Sequence, residues 1–360
     1  MTPRIAIIGA GPAGSSCALR LAQRGFESVL VERQAFPRRK VCGEFISPAA
    51  TAILESLLPP SELRGRGARR VGTFTIELDD RTSEWRMPTE AWVLSRTSLD
   101  DALLDRAQAA GVKVHQPARV SRVRYAADHV AVELASGEHV HADAVVHADG
   151  VGRFDDAGPT PMRRGVVGAK CHLRVPIEGI RMRCALGAYI GTVGVECGLS
   201  TLALVARSTL VRRHGGDFSA LVRESLPAFD NSWVDGTWMS CGVAGSPYIT
   251  PGHVRSFRVG NAAGAVEPVG GEGIGMALWA GSTLGTMLDP ADLQDTQRRF
   301  AMAYRTRLRL RRPACRLAAE TFMRPALLRT GWPILARMPG LAVTPWYAMT
   351  GKHSPHVARI

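Results

Sequence analysis

The sequence predicts an α/β protein: a parallel-sheet unit, an inserted and mainly antiparallel β-sheet, and a helical C-terminal region. Three observations predict it. The continuous apolar run Ile5-Ala6-Ile7-Ile8 leads straight into a glycine-rich turn and a helix, the opening of a parallel sheet covered on both faces. Residues 166–207 form strand-like runs separated by Gly and Pro, and residues 291–360 read as mainly helical.

The elements follow in order. Residues 4–9 are the first strand and 12–24 a helix, with Ala18, Leu19, Leu21 and Ala22 available for packing and Gly25 as its stop. Residues 28–32 are the second strand, and 36–48 a loop rich in Pro, Gly and charge. A strand is expected over 73–78 and a shorter one over 92–94. The helix over 98–110 sets Leu99, Ala102, Leu103 and Ala107 on one face. Residues 130–134 alternate as a strand, Ser136-Gly137 turns, and 144–147 is an apolar strand ending in Asp149-Gly150. A last strand over 256–260 enters a Gly-rich turn and a helix over 272–288. Helix breaks are expected at Pro313, Pro325, Pro333, Pro339 and Pro345. The expected domains are 1–165 with 250–290, a discontinuous nucleotide-binding unit; 166–249, a β-sheet substrate domain; and 291–360, helical.

The 360 residues are 46% apolar and 21% charged, a globular balance. No stretch has the length of a membrane span, no secretory leader is visible, and the seven Cys form no CxxC pair, so neither a disulfide framework nor a metal site is expected. A cytoplasmic location fits this pattern. The net charge is +13, and ten Arg fall between Arg298 and Arg329 against one acid, Glu320. Such a segment is either a solvated helix face or a surface for phosphates and anionic lipid. Without a nucleic-acid motif, no nucleic-acid partner is expected; the solvated face is the favoured reading, with peripheral membrane contact through this region as its alternative.

Gly9-Ala10-Gly11-Pro12-Ala13-Gly14 fits GxGxxG between a strand and a helix. Gly9 permits the turn, Gly11 lets a pyrophosphate approach the backbone, and Gly14 allows close helix–strand contact, so this is a Rossmann-type site. Glu32, at the end of the second strand, suits a ribose diol. Arg33 beside it, and Val120, complete this part of the expected cofactor-binding set.

Further segments favour FAD. They are Arg96-Thr97-Ser98-Leu99; Ala148-Asp149-Gly150; and Gly260-Asn261-Ala262-Ala263-Gly264 with Pro268 and Gly271-Glu272-Gly273-Ile274. In these the chain resembles the flavoprotein family of para-hydroxybenzoate hydroxylase-like monooxygenases, flavin halogenases and geranylgeranyl reductases, over about residues 5–288. The resemblance implies a Rossmann-type FAD-binding domain and places Arg96 near the pyrophosphate and Pro268 beside the isoalloxazine. Asn261 stands where the family has Asp. A helix beginning near Glu272 would aim its positive end at the flavin, where reduction places negative charge.

Lys40-Val41-Cys42-Gly43-Glu44 resembles the KxCGE-type loop of geranylgeranyl reductase-like proteins, which lies near the flavin. It makes Cys42 and Glu44 the candidate catalytic residues and Cys42 and Gly43 cofactor neighbours. The substrate is expected to be an apolar aromatic, polyketide-like or isoprenoid-like small molecule of secondary metabolism. NAD(P)H is the expected electron donor; no second GxGxxG serves it, so it would dock transiently. Monooxygenation through a flavin hydroperoxide ranks first because it is widespread on this architecture. Double-bond reduction and halogenation are the alternatives.

Overall fold

The computed structural model describes residues 2–352. The chain opens with β1 (Arg4–Ile8), α1 (Pro12–Gln23) and β2 (Glu27–Val31), then passes through the short β3 (Phe45–Ile46), α2 (Thr51–Leu57) and α3 (Pro60–Gly65). A long hairpin of β4 (Arg69–Leu78) and β5 (Arg81–Val93) leads into α4 (Arg96–Ala109). Next come β6 (Lys113–His115), β7 (Val120–Tyr125), β8 (Val130–Leu134), β9 (His139–Ala142) and β10 (Ala144–His147). The middle of the chain supplies β11 (Met162–Leu173), β12 (Ile180–Ala185), β13 (Ala188–Gly194), β14 (Ser200–Arg207), α5 (Ser208–Arg213), α6 (Phe218–Ser225) and β15 (Val234–Ala244). After β16 (Ser256–Arg258) the chain is helical: α7 (Glu272–Met287), α8 (Leu293–Phe322), α9 (Pro325–Arg337) and α10 (Pro339–Met349). Of the expected C-terminal region, residues 353–360 lie outside the described residues.

Three sheets result. The parallel sheet has the order β16-β10-β1-β2-β6. Its centre is dry, with Ile5 and Ile7 wholly buried, because helices cover one face and the sheet β7-β8-β9 the other. There Val120, Val130 and Val132 pack on Ala6, Ile8, Val29 and Val31. Helices α1 and α7 meet backbone to backbone. A Cβ at Gly281 would lie 2.0 Å from the Ala13 carbonyl oxygen, and one at Gly285 2.7 Å from that of Cys17.

The eight-stranded sheet has the order β15-β11-β14-β13-β12-β4-β5-β3. Its neighbours are antiparallel except β12 and β4, which run parallel with Ile180 opposite Phe74. It is wider than the 166–249 insertion, because β3, β4 and β5 come from before residue 94. The strand expected over 92–94 is the end of β5. Charges at Arg81, Glu84, Arg86 and Glu90, and Pro88 among them, mask its earlier residues.

Three expected helix breaks are corrected. Pro313, Pro333 and Pro345 lie inside α8, α9 and α10, while Pro325 and Pro339 start their helices. A proline removes one backbone hydrogen bond but cannot end a helix whose apolar face is buried on both sides of it. Leu308 before Pro313, and Cys315, Ala319 and Phe322 after it, are all in the core.

Candidate active site

The end of β1 and the start of α1 build a cradle for an anion. Gly9 has φ +102°, and a Cβ there would meet the Ala148 carbonyl oxygen at 2.7 Å; one at Gly14 would sit 1.9 Å from the Gly9 oxygen. Gly11 is the N-cap of α1 and no side chain caps that helix, so its first N–H groups and positive end remain for a ligand. A Cβ at Gly11 would have Arg96 Nη2 at 3.7 Å and Arg38 Nη2 at 3.9 Å. Arg96 is held by a two-pronged bond to buried Asp100, 2.6 Å on each prong. Arg38 spans Asp100 at 3.4 Å and Glu32 at 3.7 Å. Lys40 lies near Gly150. Burial, reinforced by the charges of Arg96 and Arg38, pushes its pKa down to about 8. Three cations thus converge where two carboxylates only partly compensate them, a demand that a pyrophosphate meets.

The second half of the site is the start of α7. Gly271 adopts φ +66°, and a Cβ there would fall 2.0 Å from the Phe45 ring, so glycine is required. No side chain caps α7. The Glu272 carboxylate instead accepts from Ser47 Oγ at 3.2 Å and pairs with Lys352 Nζ at 3.1 Å and Arg311 Nε at 3.5 Å. That network anchors the turn and ties the C-terminal helices to it.

A cavity of about 290 Å³ joins the two halves. Gly11, Pro12, Ala13, Cys42, Gly43, Arg96, Gly150, Gly260, Asn261, Pro268, Gly271, Gly273 and Ile274 border it. Met182, Tyr189 and Val243, together with Phe74, Trp85 and Met87, line it from the eight-stranded sheet, and Trp346, Tyr347 and Lys352 line it from the C-terminal region. The cations and the uncapped start of α1 that border it fit the pyrophosphate of FAD.

Cys42 is partly buried, its Sγ 3.4 Å from the Glu44 N–H, which points at it, and within electrostatic reach of the Arg96 guanidinium. Glu44, expected beside the flavin, is not on the cavity wall. It is 1% exposed and has the left-handed φ of 57°. Its Oε1 accepts from the Arg96 N–H at 2.7 Å and from Lys170 Nζ; its Oε2 meets His172 Nε2 at 2.8 Å and accepts from Thr201 Oγ1. Burial alone would raise its pKa, but the bonds from His172 and Lys170 outweigh it and bring it down to about 2. Glu44 therefore stays ionised at neutral pH and clasps β11 and β14 to the start of α4. The structure thus sets it behind the cavity wall and not on it.

The other expected residues divide by place. Gly9 and Gly14 shape the turn from behind the cavity wall. Glu32, 5% exposed, receives the Ala10 N–H at 3.0 Å, and Arg33 is exposed beside it; neither borders the cavity. Asp149 accepts from the N–H groups of Gly152 at 2.7 Å and Arg153 at 3.2 Å, folding its own loop. Val120 is core between two sheets, away from the cavity. Sequence reasoning missed Arg38, Lys170 and Lys352 as site residues. A signal existed for two of them: the chain has four Lys among its 45 basic residues, and Lys170 and Lys352 are buried at the site.

Residues 2–153 match the FAD binding domain family. The menaquinone reductase of Mycobacterium tuberculosis is 26% identical over 336 residues, covering 80% of this chain and 77% of that protein. Two solved structures share the fold. A geranylgeranyl bacteriochlorophyll reductase-like protein from Thermoplasma acidophilum has a TM-score of 0.77 at 18% identity, covering 96% of each chain. PqsL of P. aeruginosa, solved with 2-aminobenzoylacetate, has a TM-score of 0.76 at 16% identity, covering 91% of this chain and 98% of that one.

Proposed function

From the premise that this chain is an FAD-dependent oxidoreductase with its FAD-binding domain in residues 2–153, we propose that it reduces a carbon–carbon double bond of an apolar, isoprenoid-like substrate, with NAD(P)H as electron source. The observation that carries the reading is Cys42, a partly buried thiol lining the same cavity as the start of α7 and the Arg96 guanidinium. Bound FAD, once reduced, supplies a hydride. The second carbon of the double bond then needs a proton, and Cys42 is placed to donate it. The Arg96 guanidinium balances the charge left on sulfur. The apolar surface from Met182 to Trp346 binds the substrate and excludes water. The relative named a reductase, which matches over four fifths of the chain, supports the reading.

The test is anaerobic turnover of FAD-loaded protein with NADPH and polyprenyl substrates, read by mass spectrometry. A product heavier by two hydrogens per double bond, and a loss of about 100-fold or more in Cys42→Ala with FAD content unchanged, is the expected result. Monooxygenation, placed first from the sequence, uses the same FAD site. It requires a product formed only in air and heavier by one oxygen, and that outcome would replace the present reading.

A further inference from the structure

We propose that the outer faces of α8, α9 and α10 dock on an anionic lipid bilayer. Three observations carry this. The first is exposed apolar surface at helical spacing. On α9, Leu327 and Ile334 are 54% and 57% exposed and seven residues apart, so they share one side; Met338 at the junction and Leu341 in the first turn of α10 are 55% and 61% exposed. On α8, Leu310 and Leu317 are 54% and 67% exposed, seven residues apart. The inner sides of the same helices are core: Trp332, Leu335 and Val343 are 7%, 5% and 6% exposed.

The second is charge. Residues 293–352 carry eleven Arg and one Lys against two acids, Asp295 and Glu320. Glu320 is approached by Arg163, Arg207, Arg316 and Arg324; Glu267 also pairs with Arg163, so two carboxylates face four guanidinium groups. Arg309, beside Leu310, and Arg337, beside Met338, are both exposed. Apolar side chains flanked by guanidinium groups complement lipid tails below a layer of phosphates. A nucleic acid would use the cations and leave the apolar side chains in water.

The third is continuity with the site. Trp346, Tyr347 and Lys352, at the end of this region, line the cavity. A bilayer under α9 and α10 would therefore lie next to the wall that an apolar substrate must pass. This last point alone rests on the proposed substrate class; docking does not depend on the reaction.

The experiment is sedimentation of the FAD-loaded full chain with phosphatidylcholine vesicles, with and without about 30 mol % phosphatidylglycerol. The protein is expected to pellet with the anionic vesicles and to be released by salt. Arg309→Gln and Arg337→Gln should each weaken partitioning about five-fold. Ile334→Asp with Leu341→Asp should abolish it, while FAD content and melting temperature stay those of the parent. Light scattering without lipid and competition by duplex DNA complete the design. The proposal is overturned if the protein stays in the supernatant, binds neutral vesicles equally, or forms a dimer that the same two substitutions dissolve. Anionic-vesicle binding that DNA displaces and Ile334→Asp leaves unchanged overturns it too.

Discussion

At the residue scale, Glu44 holds an unfavourable backbone conformation, costing about 1–2 kcal/mol, because four donors fix its carboxylate. Glu44→Gln leaves Lys170 buried without its counter-charge and should cost about 3 kcal/mol or more in urea denaturation at neutral pH. The folded carboxyl titrates near 2, below the usual value of about 4.3. As pH falls, the unfolded chain takes up the proton first, so the stabilisation is complete above the usual carboxylate range and drains away towards pH 2. The gap between parent and variant should narrow over that window. Lys40 gives the opposite case. Its pKa near 8 means the FAD-free protein loses a cation above pH 8, whereas a bound pyrophosphate would keep it charged. FAD affinity in a fluorescence titration should fall above pH 8 by no more than about tenfold per unit, and Lys40→Met should bind more weakly below pH 8 with no such decline. The roles of Cys42 and Glu44 show what the sequence holds and withholds. Their loop was legible from its residue types, but the φ that turns Glu44 away from the cavity depends on Lys170, His172 and Thr201, far away along the chain.

At the element scale, α7 contains glycines of two kinds. A Cβ at Gly281 would overlap the backbone of α1, so Gly281→Val should part the helices at about 1–3 kcal/mol and release FAD on gel filtration. At Gly273 a Cβ would meet nothing within 4 Å, yet the residue borders the cavity. Gly273→Ala should leave the melting temperature of the FAD-free protein equal or higher while weakening FAD binding, and a titration beside a thermal melt separates the two. The start of α7 was legible because Gly-rich turn and apolar helix adjoin in the sequence. The length of β5 was not, because alternation is hidden when charge and proline fall on its outer face. The continuity of α8 through Pro313 was not either, since its cause is packing against other elements.

At the scale of the whole molecule, the two sheets are interlaced. The eight-stranded sheet takes β3, β4 and β5 from between β2 and α4, both parts of the nucleotide-binding unit. Calorimetry of the FAD-free protein should therefore show one transition. A fragment of residues 166–249 should not fold by itself, because β12 would lack β4; circular dichroism checks this. The α/β order, the parallel sheet and the helical end were all readable from periodicity. The pairing of β12 with β4 was not, since an apolar strand pattern does not name its partner.

That parallel pairing has a consequence for biosynthesis. When β4 leaves the ribosome it finds β5 at once, but its other edge, with Ile76 and Leu78 near it, waits for β12. At about 5–20 residues per second the delay is on the order of ten seconds. For that interval the nascent chain presents an open strand edge to the cell, so its yield should depend on chaperones that shield newly made β-structure.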